Sequence, residues 1–280
     1  MKIFLGRQSL LGDIVTYLPV LDLIEDKYPN SYKVFSLAKK CSQILPLLAN
    51  YPLIDRIQIS EPSEGFGKAD NAVIESCDLY IEVNPQHKQD DWYNYRHMIE
   101  ENFHMIDLDY NKLSYQRRIP KLVKWFDSNP QKRYIAFWPC AGYSGVNKRN
   151  PSREWYNNLI EKILEMIPGS TLIQFGSSAD YTFNDFYCDR FIDMREQSFF
   201  GQIKMTHNCG CMIGTDSGSS LIMAAYGFPQ IALITNHNLN HTQNFLALAP
   251  RNPNCLNIFS HGGFSNLNQE TVIDSIKLLY

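Results

Sequence analysis

The chain has 280 residues, of which 44% are hydrophobic and 20% are charged, and its net charge at pH 7 is −3. This length and apolar content suffice for two α/β domains or one large one. A slightly acidic chain offers no basic field for a polyanion, which argues against nucleic acid as the main ligand, and no apolar run approaches the roughly 20 residues that cross a bilayer. The opening residues, MKIFLGR, are too short an apolar run for a signal peptide, so a cytoplasmic protein is expected.

Short apolar runs alternate with amphipathic stretches along the whole chain, which is the pattern of parallel βαβ units. The predicted strands are Lys2 to Leu5, Tyr32 to Ser36, Arg56 to Ile59, Asp78 to Val83, Tyr134 to Trp138, Thr171 to Phe175, Cys211 to Gly214, Gln230 to Ile234 and Cys255 to Phe259. The predicted helices are Ile14 to Tyr28, Trp92 to Met105, Arg153 to Met166, Phe200 to His207, Ser220 to Tyr226 and Gln269 to Leu279. The alternation predicts an α/β fold.

A polar and basic segment, RRIPKLVKWFDSNPQKR at 117–133, separates two series of strands and helices and contains Pro120 and Pro130. We interpret it as an interdomain connection. Two Rossmann-like domains, 1–128 and 129–280, are then expected to face each other across a cleft, with ligands at the carboxyl ends of the parallel strands.

The seven cysteines and seven histidines show no C-x-x-C or H-E-x-x-H spacing. Cys209 and Cys211 form the closest cysteine pair, and no second pair completes four ligands. Buried free thiols are therefore expected, and no metal site.

The first segment with possible chemistry is LLGDIVTYLPVL at 10–21, where Gly12 is expected in the turn after the first strand and Asp13 at the start of a helix. Asp13 can be an ordinary N-cap, which stabilises a helix by about 1 kcal/mol. It can also be a carboxylate that takes a proton from an incoming hydroxyl. The residues alone fit both interpretations.

The second segment is FWPCAGYSGVNKRNPSREW at 137–155, in which a strand leads into a loop containing Gly142 and then into a helix that Ser152 is expected to cap. Lys148 and Arg149 lie just before that helix. Two cations beside a helix N-terminus favour an anion, because the helix dipole acts with the same sign. An ordinary solvated basic turn is the alternative.

The third segment is CMIGTDSGSSLIMAAYG at 211–227, an apolar strand followed by a turn and a helix of small residues. A serine nucleophile at Ser217 fits poorly, because the G-x-S-x-G elbow is absent, and a P-loop lacks its G-K-[ST]. A diphosphate cradle fits, since Ser217, Gly218 and Ser219 would offer backbone N–H groups at a helix N-terminus. A tight turn without a ligand is the remaining interpretation.

Four segments, taken in order, resemble glycosyltransferase family 9, the lipopolysaccharide heptosyltransferase type with a GT-B fold. They are LGDIVTYLPVLDLIEDKYPNSYKVFSLAKK, PCAGYSGVNKRNPSREWYNNLIEKI, TLIQFGSSAD and TDSGSSLIMAAYGFPQIALI. The first is similar to the family's G-D-v-v-x-x-x-P opening, the second to its K-R-W-P segment, and the last to its D-S-G-x-x-H segment. The resemblance covers most of the chain.

The resemblance implies an inverting, metal-independent glycosyltransferase that moves a heptose-like sugar or a hexose from a nucleotide-diphosphate sugar, without a cofactor. Asp13 would be the catalytic base, Lys148 and Arg149 would neutralise the diphosphate, and Asp216 would contact the donor sugar. The implied donor-binding set also includes Asp180 at the ribose and the phosphate-binding Ser217, Gly218 and Ser219, with supporting turns at Gly12, Gly142 and Gly176.

The implied partners are the nucleotide-sugar donor and a glycan or glycolipid acceptor, with peripheral association at the cytoplasmic face of a membrane. Acceptor specificity is expected in the N-terminal half, in the polar stretches 61–71 and 85–96. Two positions depart from the family pattern, because Leu221 stands where the family has a phosphate-binding histidine and Asn150 where it has tryptophan. A GT-B-shaped nucleotide-sugar-binding protein without transferase activity therefore stays open, as do a nucleotide-sugar epimerase and a glucosyltransferase of modified DNA.

Overall fold

The computed structural model describes residues 1–6, 11–60, 68–82, 109–141, 150–183, 186, 189–235, 249–260 and 263–279. The chain forms two compact units, Met1–Trp125 and Phe126–Tyr280, and the division falls within the basic segment 117–133.

The first unit is built on a parallel four-stranded sheet in the order β3-β2-β1-β4. Its strands are β1 Lys2–Gly6, β2 Tyr32–Ala38, β3 Arg56–Ser60 and β4 Leu79–Glu82. Its helices are α1 Leu11–Lys27, α2 Leu45–Leu48, α3 Lys68–Glu75 and α4 Tyr115–Arg118, with 3₁₀ turns at Lys39–Ile44 and Tyr110–Lys112.

The two central strands, β1 and β2, are almost continuously buried, because a parallel sheet is covered on both faces. Ile3, Phe4 and Leu5 of β1 are completely buried, as is most of the central part of α1. Helix α4 and the segment after it are attached to the same unit, since Arg117 of α4 binds the Asp26 carboxylate at 2.8 Å and the Trp125 indole donates to the Pro46 carbonyl.

The second unit is built on a parallel six-stranded sheet in the order β10-β9-β8-β5-β6-β7. Its strands are β5 Gln131–Trp138, β6 Thr171–Gln174, β7 Phe191–Asp193, β8 Cys209–Thr215, β9 Gln230–Thr235 and β10 Cys255–Ser260. Its helices are α5 Arg153–Met166, α6 Phe199–Thr206, α7 Gly218–Ala225 and α8 Gln269–Leu279, with a 3₁₀ turn at Phe264–Asn266.

This strand order is that of a complete Rossmann fold, and the first unit has its first four strands. Helices α5 and α8 pack together over the second sheet, where the Trp155 indole donates to the Leu267 carbonyl and Lys162 pairs with Glu270. Ser152 caps α5 by accepting from the Trp155 N–H at 3.1 Å, as predicted.

The predicted α/β fold class is confirmed, and each of the nine predicted strands is present. The short edge strand β7 was not predicted, because it has three residues and is largely exposed, so it carries no buried apolar run. The predicted helix from Trp92 to Met105 and the stretch 85–96 lie outside the described residues, and the stretch 61–71 is described only from residue 68, where α3 begins.

The start of α1 corrects the prediction for Gly12 and for the N-cap role of Asp13. The helix includes Leu11, so Gly12 is a buried helical residue and Asp13 lies in the first turn. Glycine usually interrupts helices, which is why the sequence pattern placed the start at Ile14.

Candidate functional site

The strand order of the second unit predicts a ligand site at the carboxyl ends of β5 and β8. These neighbouring strands pair with Trp138 opposite Gly214. The strand after β5 is β6, on one side of this pair, and the strand after β8 is β9, on the other side. In open parallel sheets, ligands bind outside the carboxyl ends of the strands at such a switch point. The second and third candidate segments therefore begin at the same edge of the sheet.

The GTDSGSS segment forms the end of β8 and the beginning of α7. Asp216 is buried and its N–H donates to the Leu233 carbonyl at 3.2 Å, while Ser217 is the N-cap of α7 and accepts from the Ser220 N–H. The first N–H groups of a helix have no partner within it, and they point out along the axis at its positive end. Gly218 and Ser219 therefore present backbone donors at the switch point.

Three serine hydroxyls lock this turn. The Ser217 and Ser219 oxygens lie 2.8 Å apart, and the fully buried Ser220 hydroxyl donates to the Thr215 carbonyl at 2.6 Å. In the part of the chain that the structure describes, the Ser217 hydroxyl contacts serine hydroxyls and an N–H group, and no base that could activate it. This geometry suits a ligand-binding turn and not a nucleophile.

Leu221 follows these serines in the first turns of α7 and is partly exposed. Its N–H donates to the Ser217 carbonyl at 3.2 Å, which makes it the first regular hydrogen bond of the helix. Its side chain offers no hydrogen-bond donor at this end of α7.

Two hydrogen bonds connect the described residues on either side of 142–149. The Asn150 side chain accepts from the Ala141 N–H at 2.7 Å, and the Tyr156 hydroxyl donates to the Pro139 carbonyl at 2.5 Å. Asn150 thus joins the residues on either side of 142–149. Gly142, Lys148 and Arg149 fall in this range and lie outside the described residues.

Asp180 lies in a tight turn after β6. Gly176 has a φ of +134°, a conformation that favours glycine, and a Cβ atom there would lie 2.3 Å from the Asp180 carboxylate. The carboxylate accepts from the Ser177 N–H at 2.7 Å. Burial raises the pKa of Asp180, and the hydrogen bonds from Ser177 partly offset that effect.

Two residues behind this turn were missed by sequence reasoning, because single polar residues without a spacing pattern carry no local signal. The buried Gln202 amide accepts from the Gly176 N–H at 2.7 Å and donates to the Gly176 carbonyl at 2.9 Å. Arg195 pairs with Asp193 and donates to the Asp180 and Tyr181 carbonyls. The turn that carries Asp180 is therefore held from two sides.

Asp13 lies in the first turn of α1 in the first unit, near Cys41 in the 3₁₀ turn that follows β2. Burial raises the pKa of the neighbouring Cys41 thiol; the Lys40 ammonium lowers it, and the Asp13 carboxylate raises it further. Lys40 is exposed and Asp13 is partly exposed. A carboxylate and a cation, the latter not predicted from the sequence, thus lie near the same thiol.

A shallow groove of about 360 Å³ opens beside the start of α5. Its lining residues are Asn150, Ser152, Glu154, Trp155, Asn158, Phe264 and Ser265. Among these described lining residues, Glu154 is the one with an ionisable side chain. Across the described residues there is no group of three or more His, Cys, Asp or Glu side chains that could hold a metal ion. None of the described helices combines the length and apolar character needed to span a membrane.

No protein-family model matches the sequence. No curated protein matches it either. Several solved structures share its fold. The ADP-heptose lipopolysaccharide heptosyltransferase II of E. coli is 14% identical, with a TM-score of 0.72 and coverage of 100% of this chain and 98% of that chain.

A glycosyltransferase family 9 protein from Veillonella parvula is also 14% identical, with a TM-score of 0.69 and coverage of 99% and 96%. The E. coli heptosyltransferase WaaC with ADP-2-deoxy-2-fluoro heptose is 12% identical, with a TM-score of 0.65 and full coverage of both chains. The chain therefore has the fold of the family 9 heptosyltransferases, as the sequence resemblance implied.

Proposed function

We propose that this protein is an inverting, metal-independent glycosyltransferase that moves a heptose-like sugar or a hexose from a nucleotide-diphosphate sugar to a hydroxyl of a glycan or glycolipid. The observation that carries the proposal is the start of α7, where a buried aspartate and a serine-locked helix N-terminus follow β8 at the Rossmann switch point. The shared fold with structures of family 9 heptosyltransferases supports the same assignment.

In this proposal the second unit binds the donor. The N–H groups of Gly218 and Ser219 hold phosphate oxygens, and Lys148 and Arg149 neutralise the diphosphate. Asp216 contacts the donor sugar, and Asp180 accepts from ribose hydroxyls. Charge that develops on the leaving diphosphate is then stabilised by the cations and the helix dipole, which removes the need for a metal ion.

The first unit supplies the base and binds the acceptor. Asp13 takes the proton from the acceptor hydroxyl as its oxygen attacks the anomeric carbon, and the nucleoside diphosphate leaves from the opposite side, so the configuration inverts. The exposed Lys40 ammonium lies in the same region, since Lys40 and Asp13 both act on the Cys41 thiol. A glycolipid acceptor would be reached at a membrane surface. The proposal therefore includes a cytoplasmic protein that associates peripherally with a membrane.

The direct test is transfer from a panel of donors, starting with ADP-heptose because ADP-heptose appears in the name of the E. coli heptosyltransferase II that shares the fold. UDP-hexoses and GDP-hexoses complete the panel, and release of nucleoside diphosphate is measured with and without glycan acceptors. Turnover with formation of the inverted anomer supports the proposal. A protein that binds none of the nucleoside diphosphates contradicts it.

Leu221 favours a second candidate, a protein that binds nucleotide sugars without transferring them. A leucine at this partly exposed position contributes no hydrogen bond to a phosphate oxygen. Calorimetry separates the two candidates, because nucleoside diphosphate binding without turnover on any acceptor is expected of the binding protein alone.

A further inference from the structure

We infer that Gln202 is a positioning residue that fixes the Asp180 carboxylate for the donor ribose; this rests on the proposed function. Gln202 is a buried side chain on α6, and the turn that it holds follows β6. In this inference its effect on the ligand passes through the two peptide groups that flank Gly176.

The amide of Gln202 uses both of its ends. Its oxygen accepts from the Gly176 N–H at 2.7 Å, and its nitrogen donates to the Gly176 carbonyl at 2.9 Å. The same nitrogen lies 2.8 Å from the Gln197 carbonyl and 3.2 Å from the Arg195 carbonyl. One side chain thus joins the turn after β6 to the segment that leads into α6.

The backbone conformation of Gly176 sets the direction of this turn. Its φ of +134° directs the chain sharply, and its missing side chain leaves room for the Asp180 carboxylate, which a Cβ atom would meet at 2.3 Å. The two peptide groups that flank Gly176 are held in this way, one at its N–H and the other at its carbonyl, so neither can rotate without breaking a hydrogen bond to Gln202. The direction of the turn, and with it the place of the carboxylate, depends on Gln202.

The Asp180 carboxylate has hydrogen-bond acceptor positions for a ligand beyond those that Ser177 uses. A carboxylate offers about four lone-pair positions. In the turn it accepts from the Ser177 N–H at 2.7 Å, with a further hydrogen bond from the Ser177 side chain. The remaining positions suit the two hydroxyls of a ribose, and a donor with a 2′-deoxyribose would lose one of the two contacts.

The test uses Gln202→Met, an unbranched apolar side chain of similar length that makes none of the four hydrogen bonds. Its matched control is Asn252→Leu, because Asn252 is also an amide used at both ends, donating to the Ala224 carbonyl and accepting from the Asn254 N–H. Asn252 lies before β10, at the amino ends of the strands. Both variants remove a bridging amide from the same unit.

The measured quantities are the dissociation constants of ADP, UDP and GDP and of their 2′-deoxy forms, together with hydrogen exchange of residues 174–182. We expect Gln202→Met to speed exchange in this segment, to weaken the best ribonucleotide about tenfold, and to bring the ratio of deoxy to ribo constants close to one. Asn252→Leu should leave the exchange and the ratio at the wild-type values. Unchanged exchange, or an unchanged ratio in Gln202→Met, would overturn the inference.

Gln202→Glu provides a second variant if the methionine variant does not fold. It keeps the oxygen that accepts from the Gly176 N–H and loses the donor. We therefore expect a ratio of deoxy to ribo dissociation constants between one and the wild-type value, and a ratio equal to the wild-type value would contradict the inference. A wild-type protein that binds no nucleoside diphosphate would sink the proposed function, while the exchange measurement would still decide whether Gln202 fixes the turn. A wild-type ratio of one would overturn the ribose role of Asp180 and leave nucleotide binding intact.

Discussion

The hydroxyl oxygen of Ser220 lies 2.8 Å from the position that a Cβ atom would take on Gly214. The two residues are on opposite sides of the turn between β8 and α7, and the Ser220 hydroxyl also donates to the Thr215 carbonyl at 2.6 Å. The absence of a side chain at residue 214 is therefore what allows the helix to begin so close to the end of the strand.

Gly214→Ala should destabilise the protein and weaken nucleotide binding. The new methyl group would meet the Ser220 hydroxyl and the end of the Met212 side chain, and inserting a methyl into such a packed site costs about 1–3 kcal/mol. Thermal unfolding and calorimetry with nucleoside diphosphates measure both effects. Gly201→Ala is the control, because its Cβ would lie 3.1 Å from the Ser198 hydroxyl and a helical alanine is favourable. Equal melting temperatures for the two variants would contradict the packing argument.

Asp13→Asn should abolish most of the transfer activity and leave the fold intact. The amide has the shape of the carboxylate and cannot accept the proton, and loss of a general base lowers kcat by about 10²–10⁴-fold. Turnover with the best donor and acceptor measures this, and donor affinity should stay within twofold or so of the wild type, since the proposed donor residues lie in the second unit.

The matched control for that experiment is Asp26→Asn. Asp26 belongs to the same helix, but it is exposed and pairs with Arg117 at 2.8 Å. Exposed pairs contribute about 0–1 kcal/mol, so this variant should keep its activity. Wild-type turnover in Asp13→Asn would exclude Asp13 as the base.

The sequence predicted the parts of this fold that depend on local patterns. Continuous apolar runs such as β8 identify buried parallel strands, and Ser152 was found as a helix cap because capping depends on a short local sequence. Gln202 could not be found in this way, since its partner Gly176 is 26 residues away and a buried glutamine has no characteristic spacing. The start of α1 was misplaced because tertiary burial of Gly12 outweighs its weak helix propensity.

The ion pair between Asp193 and Arg195 should make the free energy of unfolding decrease as the pH falls below about 4. The hydrogen bond from Arg195 lowers the pKa of Asp193, so the folded chain binds that proton less readily than the unfolded chain. The stabilisation is present above the unfolded pKa of about 4 and is lost as the pH falls through the lower folded value.

Asp193→Asn should therefore melt below the wild type at pH 7, and the difference should shrink as the pH falls from 4 to about 2. Thermal unfolding at several pH values measures the difference. Asp274→Asn is the control, because Asp274 is highly exposed and its nearest cation, Lys277, is 3.6 Å away. If the difference in melting temperature between Asp193→Asn and the wild type stays constant over this pH range, the ion pair does not cause the pH dependence of stability.

Removal of metal ions should leave transfer unchanged. In the proposed mechanism Lys148, Arg149 and the N-terminus of α7 supply the positive charge that the leaving diphosphate requires. Turnover is measured after dialysis against EDTA and again after addition of Mg²⁺ or Mn²⁺. Activity that disappears on dialysis and returns with either ion would contradict the metal-independent mechanism.

Leu221→His should strengthen binding of the nucleoside diphosphate. The position is partly exposed in the first turns of α7, four residues after the N-cap Ser217, so an imidazole there can reach a phosphate oxygen bound at the helix N-terminus. A hydrogen bond to a charged group is worth about 1.5–3 kcal/mol, which corresponds to a gain of roughly tenfold or more. The gain should be larger at pH 6 than at pH 8, because protonation adds a charge to the imidazole.

Leu221→Asn tests whether polarity alone explains such a gain, since it adds an amide without a titratable proton, and its affinity should change between pH 6 and pH 8 by the same factor as the wild-type affinity does. Calorimetry at both pH values and turnover assays on the three proteins separate the two candidate functions. If both affinity and turnover rise in Leu221→His, the leucine limits a functioning transferase. If affinity rises without turnover on any acceptor, the protein is a nucleotide-sugar-binding protein, and if neither changes, the α7 N-terminus is not the diphosphate site.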